Sequence, residues 1–166
     1  MKLKSKLAGR LCIIGVVAVI LTAVCAILAF WSVFSGQARE DLRNYGQILS
    51  QACTQQGEIP KQALLPGVYR VTLIAPDGSV LYENAAAQEE MENHGNRPEV
   101  RQAMETGTGE SARQSGTLGK VTYYYAQRLD NGHILRVSKQ VDSVFSVFQG
   151  MIPVLLGIGA YILLIC

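Results

Sequence analysis

The chain has 166 residues, 49% of them hydrophobic, with 15 lysines and arginines against 13 aspartates and glutamates, a formal net charge of +2. That excess is no nucleic-acid footprint: Lys2, Lys4, Lys6 and Arg10 crowd the N-terminus with no acid among them, while every acidic residue lies between residues 35 and 144. Cys12, Cys25 and Cys166 fall in apolar stretches, so Cys53 is the one thiol of the polar middle and an intradomain disulfide is excluded. The middle must then be held by an apolar core, with Cys53 as a half-buried unpaired thiol or as a cross-link between two copies.

Residues 1–10 read as a basic cytoplasmic tail. Leu11 to Phe34 follows without a charge. As a helix it would be about 36 Å long, against a hydrocarbon core of roughly 30 Å. A signal peptide's apolar region runs only about 7–15 residues, so this stretch reads as an uncleaved anchor. Basic flanks favour the cytoplasmic side, which predicts that residues 35–144 lie outside. Gly15, Ala18, Thr22, Ala26 and Ala29 make a small-residue stripe at helical spacing, a face on which two anchors of a homodimer approach closely.

From Gln37 to Gln56 the pattern stays helical, with Leu42, Tyr45, Leu49, Ala52 and Gln56 at 3-4-3-4 spacing. No proline separates this segment from the anchor, so the two can form one rod. The seam suits a coiled-coil-like dimer stalk, or it packs on its own domain's sheet; the repeat is too short to choose. Pro60 and Pro66-Gly67 end the helix. Tyr69 to Asn84 (YRVTLIAPDGSVLYEN) is a β-hairpin turning at Pro76-Asp77-Gly78. Ala85 to Asn96 is polar and loop-like, with a helical turn near Gln88–Glu92. Arg97 to Thr106 is a short helix opened by Pro98. Gly107–Gln114, Lys120–Arg128 and His133–Val141 are strands, parted by a turn at Ser115–Gly119 and a hairpin at Asp130-Asn131-Gly132. Strands segregated from helices point to an antiparallel α+β domain. Residues 145–166 form a second uncharged stretch, taken as a second transmembrane helix. The chain stops inside it, at Cys166, which predicts the N-terminal fragment of a longer receptor.

The runs RVTLIAPDGSVLYEN, MENHGNRPEV and GTGESARQSGTLGKVTYYYAQRL resemble the extracytoplasmic PAS-like (single Cache-like) domain of phosphate-regulon-type sensor histidine kinases. The matches fall on Asp77-Gly78, Asn93-His94, Arg97-Pro98-Glu99, Gly107, Arg113, Ser115, Thr117-Leu118-Gly119 and Tyr125. The resemblance implies a five-stranded antiparallel sheet backed by the long N-terminal helix, flanked by two membrane spans in the bacterial inner membrane. It also implies a parent protein-histidine kinase with a cognate response regulator. ATP and magnesium would serve the kinase region beyond this chain, and no cofactor is expected within it.

No phosphate-binding glycine loop, nucleophile elbow or HExxH occurs, and no residue is assigned to catalysis. His133, just past the hairpin turn, reads as an exposed strand residue. His94 lies among Glu89, Glu90, Glu92, Asn93 and Glu99, yet one histidine with scattered carboxylates falls short of a metal-ligand set. Asn93 and His94 are instead expected to bond loop backbone and cap the helix that starts near Arg97. Arg70, Arg97, Arg101 and Arg113 can converge on an anion, or each can pair with a nearby glutamate, which is the favoured reading. Tyr123, Tyr124 and Tyr125 must alternate faces in a strand, sending at least one ring into the core and one to a pocket or solvent. Asn93, His94, Arg97, Arg113 and Tyr125 are thus the ligand-contacting or loop-bracing candidates, for a small extracellular ligand or a partner protein. The same input on a chemoreceptor or cyclic-dinucleotide enzyme, and a complete two-span interaction protein, are the alternatives.

Overall fold

The computed structural model describes residues 2–53, 58–65, 67–85, 92–115 and 120–165. Helix α1 spans Lys2–Ala52 without a break and is followed by a 3-10 turn at Lys61–Ala63. Strands β1 (Arg70–Ile74) and β2 (Val80–Glu83), helix α2 (Pro98–Thr106), strands β3 (Thr108–Ser115), β4 (Lys120–Arg128) and β5 (Ile134–Asp142), and helix α3 (Val144–Ile165) complete the order. Two compact units result, one of residues 1–35 with 142–166 and one of residues 36–141.

In the second unit the five strands form an antiparallel sheet in the order β2-β1-β5-β4-β3. The first hairpin docks against the last strand, Val71 opposite Val137 and Leu73 opposite Leu135. Residues 38–52 of α1 cover one face. Ala38, Leu42 and Leu49 meet Val71, Leu135, Val137, Tyr123 and Tyr125, with Tyr45 packed alongside. Leu42 and Leu49 are fully buried, each contributing about 1.5–3 kcal/mol. The helix can come this close because Gly46 faces the Tyr125 ring, where a Cβ would stand 2.5 Å from a ring carbon. The Leu42, Tyr45 and Leu49 seam of α1 is therefore occupied by the chain's own sheet. Ile48, off that stripe, stays 64% exposed.

The opposite face carries a second, smaller core. Val100 and Ala103 of α2 pack on Ile74, Ala126 and Ile134. Strand β1 is consequently buried on both sides from Val71 to Ile74. The limits of the strands, of α2 and of α3 lie within a residue of expectation, and Lys120–Arg128 matches it at both ends, whereas α1 already begins at Lys2, within the expected tail, and closes at Ala52. The expected helical turn at 88–92 and the turn at 115–119 fall largely outside the described residues, as does Gln56 at the end of the expected helix.

One helix among the described residues is long and apolar enough to cross a membrane. It is α1, over Gly9–Ala52. Its side chains Leu11, Ile13, Ile14, Leu21, Phe30 and Val33 are exposed. Helix α3 carries a shorter apolar run, Gln149–Tyr161, with Pro153 inside it.

Candidate functional site

The polar half of the α2-side face is organised around one carboxylate. Glu99 sits in the first turn of α2 and is fully buried. Its Oε1 accepts from Arg136 Nε at 3.0 Å, and its Oε2 accepts from Arg113 Nη2 and from the Ser111 hydroxyl, both at 2.6 Å. Close packing of α2 on β3 sets this geometry, and a Cβ at Gly109 would strike the Glu99 carbonyl. Burial alone would push the Glu99 carboxyl up, but the Ser111 hydroxyl, its own backbone amide and the two guanidiniums outweigh it and hold it below the usual range. Three donors and the lowered pKa hold Glu99 as a carboxylate. Both guanidiniums also lie over the Tyr124 ring, Arg113 at 4.3 Å and Arg136 at 4.5 Å from its centroid.

A second buried carboxylate lies along the sheet. Glu83 accepts from Arg70 Nε at 3.0 Å, from the Thr72 hydroxyl at 2.8 Å and from the Ala85 amide at 3.1 Å. Asn84 beside it bonds the Val71 amide at 2.9 Å and the Tyr69 carbonyl at 3.0 Å, pinning the start of β1. Next to these residues opens a cleft of about 620 Å³, lined by Tyr69, Arg70, Asn84, Tyr124, Ser138 and Gln140 among others.

Asn93 and His94 brace the loop. Asn93 Nδ2 donates to the Asp77 carbonyl at 2.9 Å and its Oδ1 accepts from Gly95 N at 2.8 Å. The His94 amide donates to the Gly78 carbonyl at 2.8 Å, which ties the segment to the β1–β2 turn. Neither side chain caps α2. The N-cap is Arg97, without a side-chain cap bond, and His94 contributes only its carbonyl, which accepts from the Arg97 amide at 3.1 Å. The His94 ring is buried, with Nδ1 2.6 Å from the Glu92 carbonyl. A carbonyl can only accept, so Nδ1 carries the proton. Burial, followed by the charges of Arg136, Arg97 and Arg70, pushes this imidazole down and keeps it neutral.

Of the other expected residues, Arg113 belongs to the Glu99 cluster, while Arg97 is half-buried at the helix start. Arg70 and Arg113 pair with glutamates, as the favoured reading had it, and Arg101 is exposed. Tyr125 is on the wrong face for this site. It is buried against α1, because strand alternation sends Tyr123 and Tyr125 into the main core and Tyr124 to the cleft. His133 is half-buried just ahead of β5, not an exposed strand residue, and its amide donates to Asn131 Oδ1 at 3.0 Å. Cys53 is free and half-buried, and burial pushes its thiol up. Among the described residues no three His, Cys, Asp or Glu side chains gather as a metal site.

Sequence reasoning missed Glu99 and Arg136 as partners. The available signal was a glutamate in the first turn of a helix whose neighbours Val100 and Ala103 are apolar, which places it on the inward side. Arg136, alternating with Leu135 and Val137 in β5, gave a weaker one. Compared with known proteins, the chain matches no protein-family model and no curated protein sequence.

Proposed function

We propose that this chain is the membrane-anchored input region of a bacterial two-component sensor histidine kinase, with residues 35–144 outside the cell and flanking helices 11–34 and 145–166 in the inner membrane. The observation that carries the reading is α1. One unbroken helix joins an exposed apolar stretch to the stripe of Ala38, Leu42, Tyr45 and Leu49 on which the sheet rests. A rearrangement of the sheet is thereby presented to the same helix that carries the anchor, as transmembrane signalling requires. The motif residues of the sensor family support it too, since Asp77-Gly78 and Asn93-His94 meet in one hydrogen-bonded brace. Signalling of this kind works only if a ligand favours one arrangement of the domain over another. The chain acts as a homodimer through the small-residue stripe of its first span, and the kinase, with its ATP, magnesium and response regulator, lies downstream.

Fusing a reporter that works only in the cytoplasm after Val121 tests the topology. A silent reporter, with full activity for the same reporter placed before Leu11, is the expected pair of results. Activity after Val121 would overturn the sensor reading.

A further inference from the structure

We propose that the two apolar helices are latched together in the membrane by a hydrogen bond from the Trp31 indole to the Gln149 carbonyl, which Pro153 leaves open; the inference rests on the two-span part of the reading above. An indole N–H can only donate. Trp31 Nε1 is shielded from the surroundings and meets no acceptor among the described residues. The Thr22 and Ser35 hydroxyls, by contrast, each bond a carbonyl of their own helix, Ala18 at 2.8 Å and Ser32 at 3.1 Å. A tryptophan at a membrane interface ordinarily turns its N–H to headgroups or water. This one is turned inward. Ile27, one turn back on the same face, is buried, and Ala23 and Val24 are half-buried, while Leu28, Phe30 and Val33 are exposed.

The compact unit that holds residues 1–35 is completed by residues 142–166, so α3 is where an acceptor is to be sought. Pro153 lies inside α3, and neither segment has another proline. Proline has no N–H, so the carbonyl four residues back, that of Gln149, loses its helical partner, and the ring tilts it away from the axis. Gly150 follows without a side chain, and a Cβ there would meet nothing within 4 Å, so the freed carbonyl is approachable. The depths agree as well. Trp31 stands five residues before Gly36, where the unit of residues 36–141 begins, and Gln149 stands five after Val144, where α3 begins. Each is about 7.5 Å along its helix from that point. An orphaned donor and an orphaned acceptor are costly in hydrocarbon, where no water serves them, and joining them removes both costs. The bond ties the bend of α3 at Pro153 to α1. A displacement of α1 that parts the pair lets α3 straighten, which passes a change from the first helix to the second.

Trp31 is the chain's one tryptophan, so an indole 15N label marks a single atom. The full chain, carrying that label and glutamine labelled with 13C at the backbone carbonyl, is placed in lipid bilayers and studied by dipolar-dephasing solid-state NMR. A hydrogen bond puts the carbonyl carbon about 4 Å from the indole nitrogen, and dephasing of that strength is expected. Gln149→Ala keeps the carbonyl but removes its label, so it should abolish the dephasing. Pro153→Ala keeps the label but restores an N–H, which takes the carbonyl for α3 itself. The dephasing should then fall, and exchange of the indole proton with deuterated water should quicken about threefold or more. Alanine favours the helix, so that loss is no folding defect. No dephasing in the unsubstituted chain, dephasing that survives Gln149→Ala, or an indole unchanged by Pro153→Ala would overturn the latch. The labels do not sense which way the chain is threaded. An intact latch with a cytoplasmic Val121 reporter would therefore remove the input role alone, and a silent reporter without dephasing would remove the latch alone.

Discussion

The Tyr45 and Tyr69 rings stack with centroids 4.3 Å apart and planes inclined by 16°. Tyr45 belongs to α1 and Tyr69 immediately precedes β1, so this pair links the long helix to the start of β1 beside the cleft. The Tyr45 hydroxyl is fixed as well, donating to the Ala63 carbonyl at 3.0 Å and accepting from the Leu65 amide at 3.3 Å. Tyr69→Leu should keep much of the apolar contact while losing the ring pair, at a cost of about 0.5–1.5 kcal/mol. Tyr45→Phe should cost roughly 0.5–1.5 kcal/mol for its hydrogen bonds. Urea unfolding of the full chain in micelles, followed by tyrosine near-UV circular dichroism, measures both.

Glu99 offers the largest single effect. Glu99→Ala leaves the Arg136 guanidinium buried without its anion and should cost about 3–5 kcal/mol, seen as a lower urea midpoint. Arg113→Ala removes a partner whose side chain is one-third exposed, and solvent screening should hold its cost near 1 kcal/mol. Equal losses in the two variants would mean that Arg136 is not the buried half of the cluster.

Gly46→Ala sets two effects against each other. Alanine favours the helix by roughly 1 kcal/mol, but its methyl would sit 2.5 Å from the Tyr125 ring. Overpacking costs about 1–3 kcal/mol, so net destabilisation is expected. A stabilised variant would show that α1 can lift from the sheet at little cost.

Acid should weaken the domain in two stages. The folded pKa of His94 lies below its ordinary 6.5, so the unfolded chain takes up that proton first. The stability it withholds is fully present above about 6.5 and is lost as pH falls below it. The folded pKa of Glu99 lies below its ordinary 4.5, and its contribution, present above that value, is lost as pH falls through the folded value. Urea midpoints against pH should show both stages. His94→Gln should remove the first, and should itself lower stability by about 1–3 kcal/mol through the lost ring bond to Glu92.

Local pattern made most elements legible. Pro76-Asp77-Gly78 and Asp130-Asn131-Gly132 fixed two hairpins, and the run of three tyrosines announced alternate faces before Tyr124 was seen apart from Tyr123 and Tyr125. Strand order was not legible, because the pairing of β1 with β5 joins residues such as Leu73 and Leu135 that are far apart in sequence. The candidate site suffered for the same reason. Asn93, His94, Arg97 and Arg113 were named from local motif, but Glu99 binds Arg136 across that long-range pairing, and only the folded sheet brings them together. Tyr125 packs against α1, on the face away from Asn93 and His94, and a motif match carries no information about which face a strand residue takes.

The most direct test joins Cys166 to the phosphoacceptor and ATP-binding modules of a sensor kinase and measures autophosphorylation in membrane vesicles. The chimera should phosphorylate itself, and Tyr69→Leu or Glu99→Gln should change the rate while leaving the amount of protein in the membrane unaltered. A rate that stays the same in both variants, and also after deletion of residues 58–141, would contradict the reading of this chain as a sensory input.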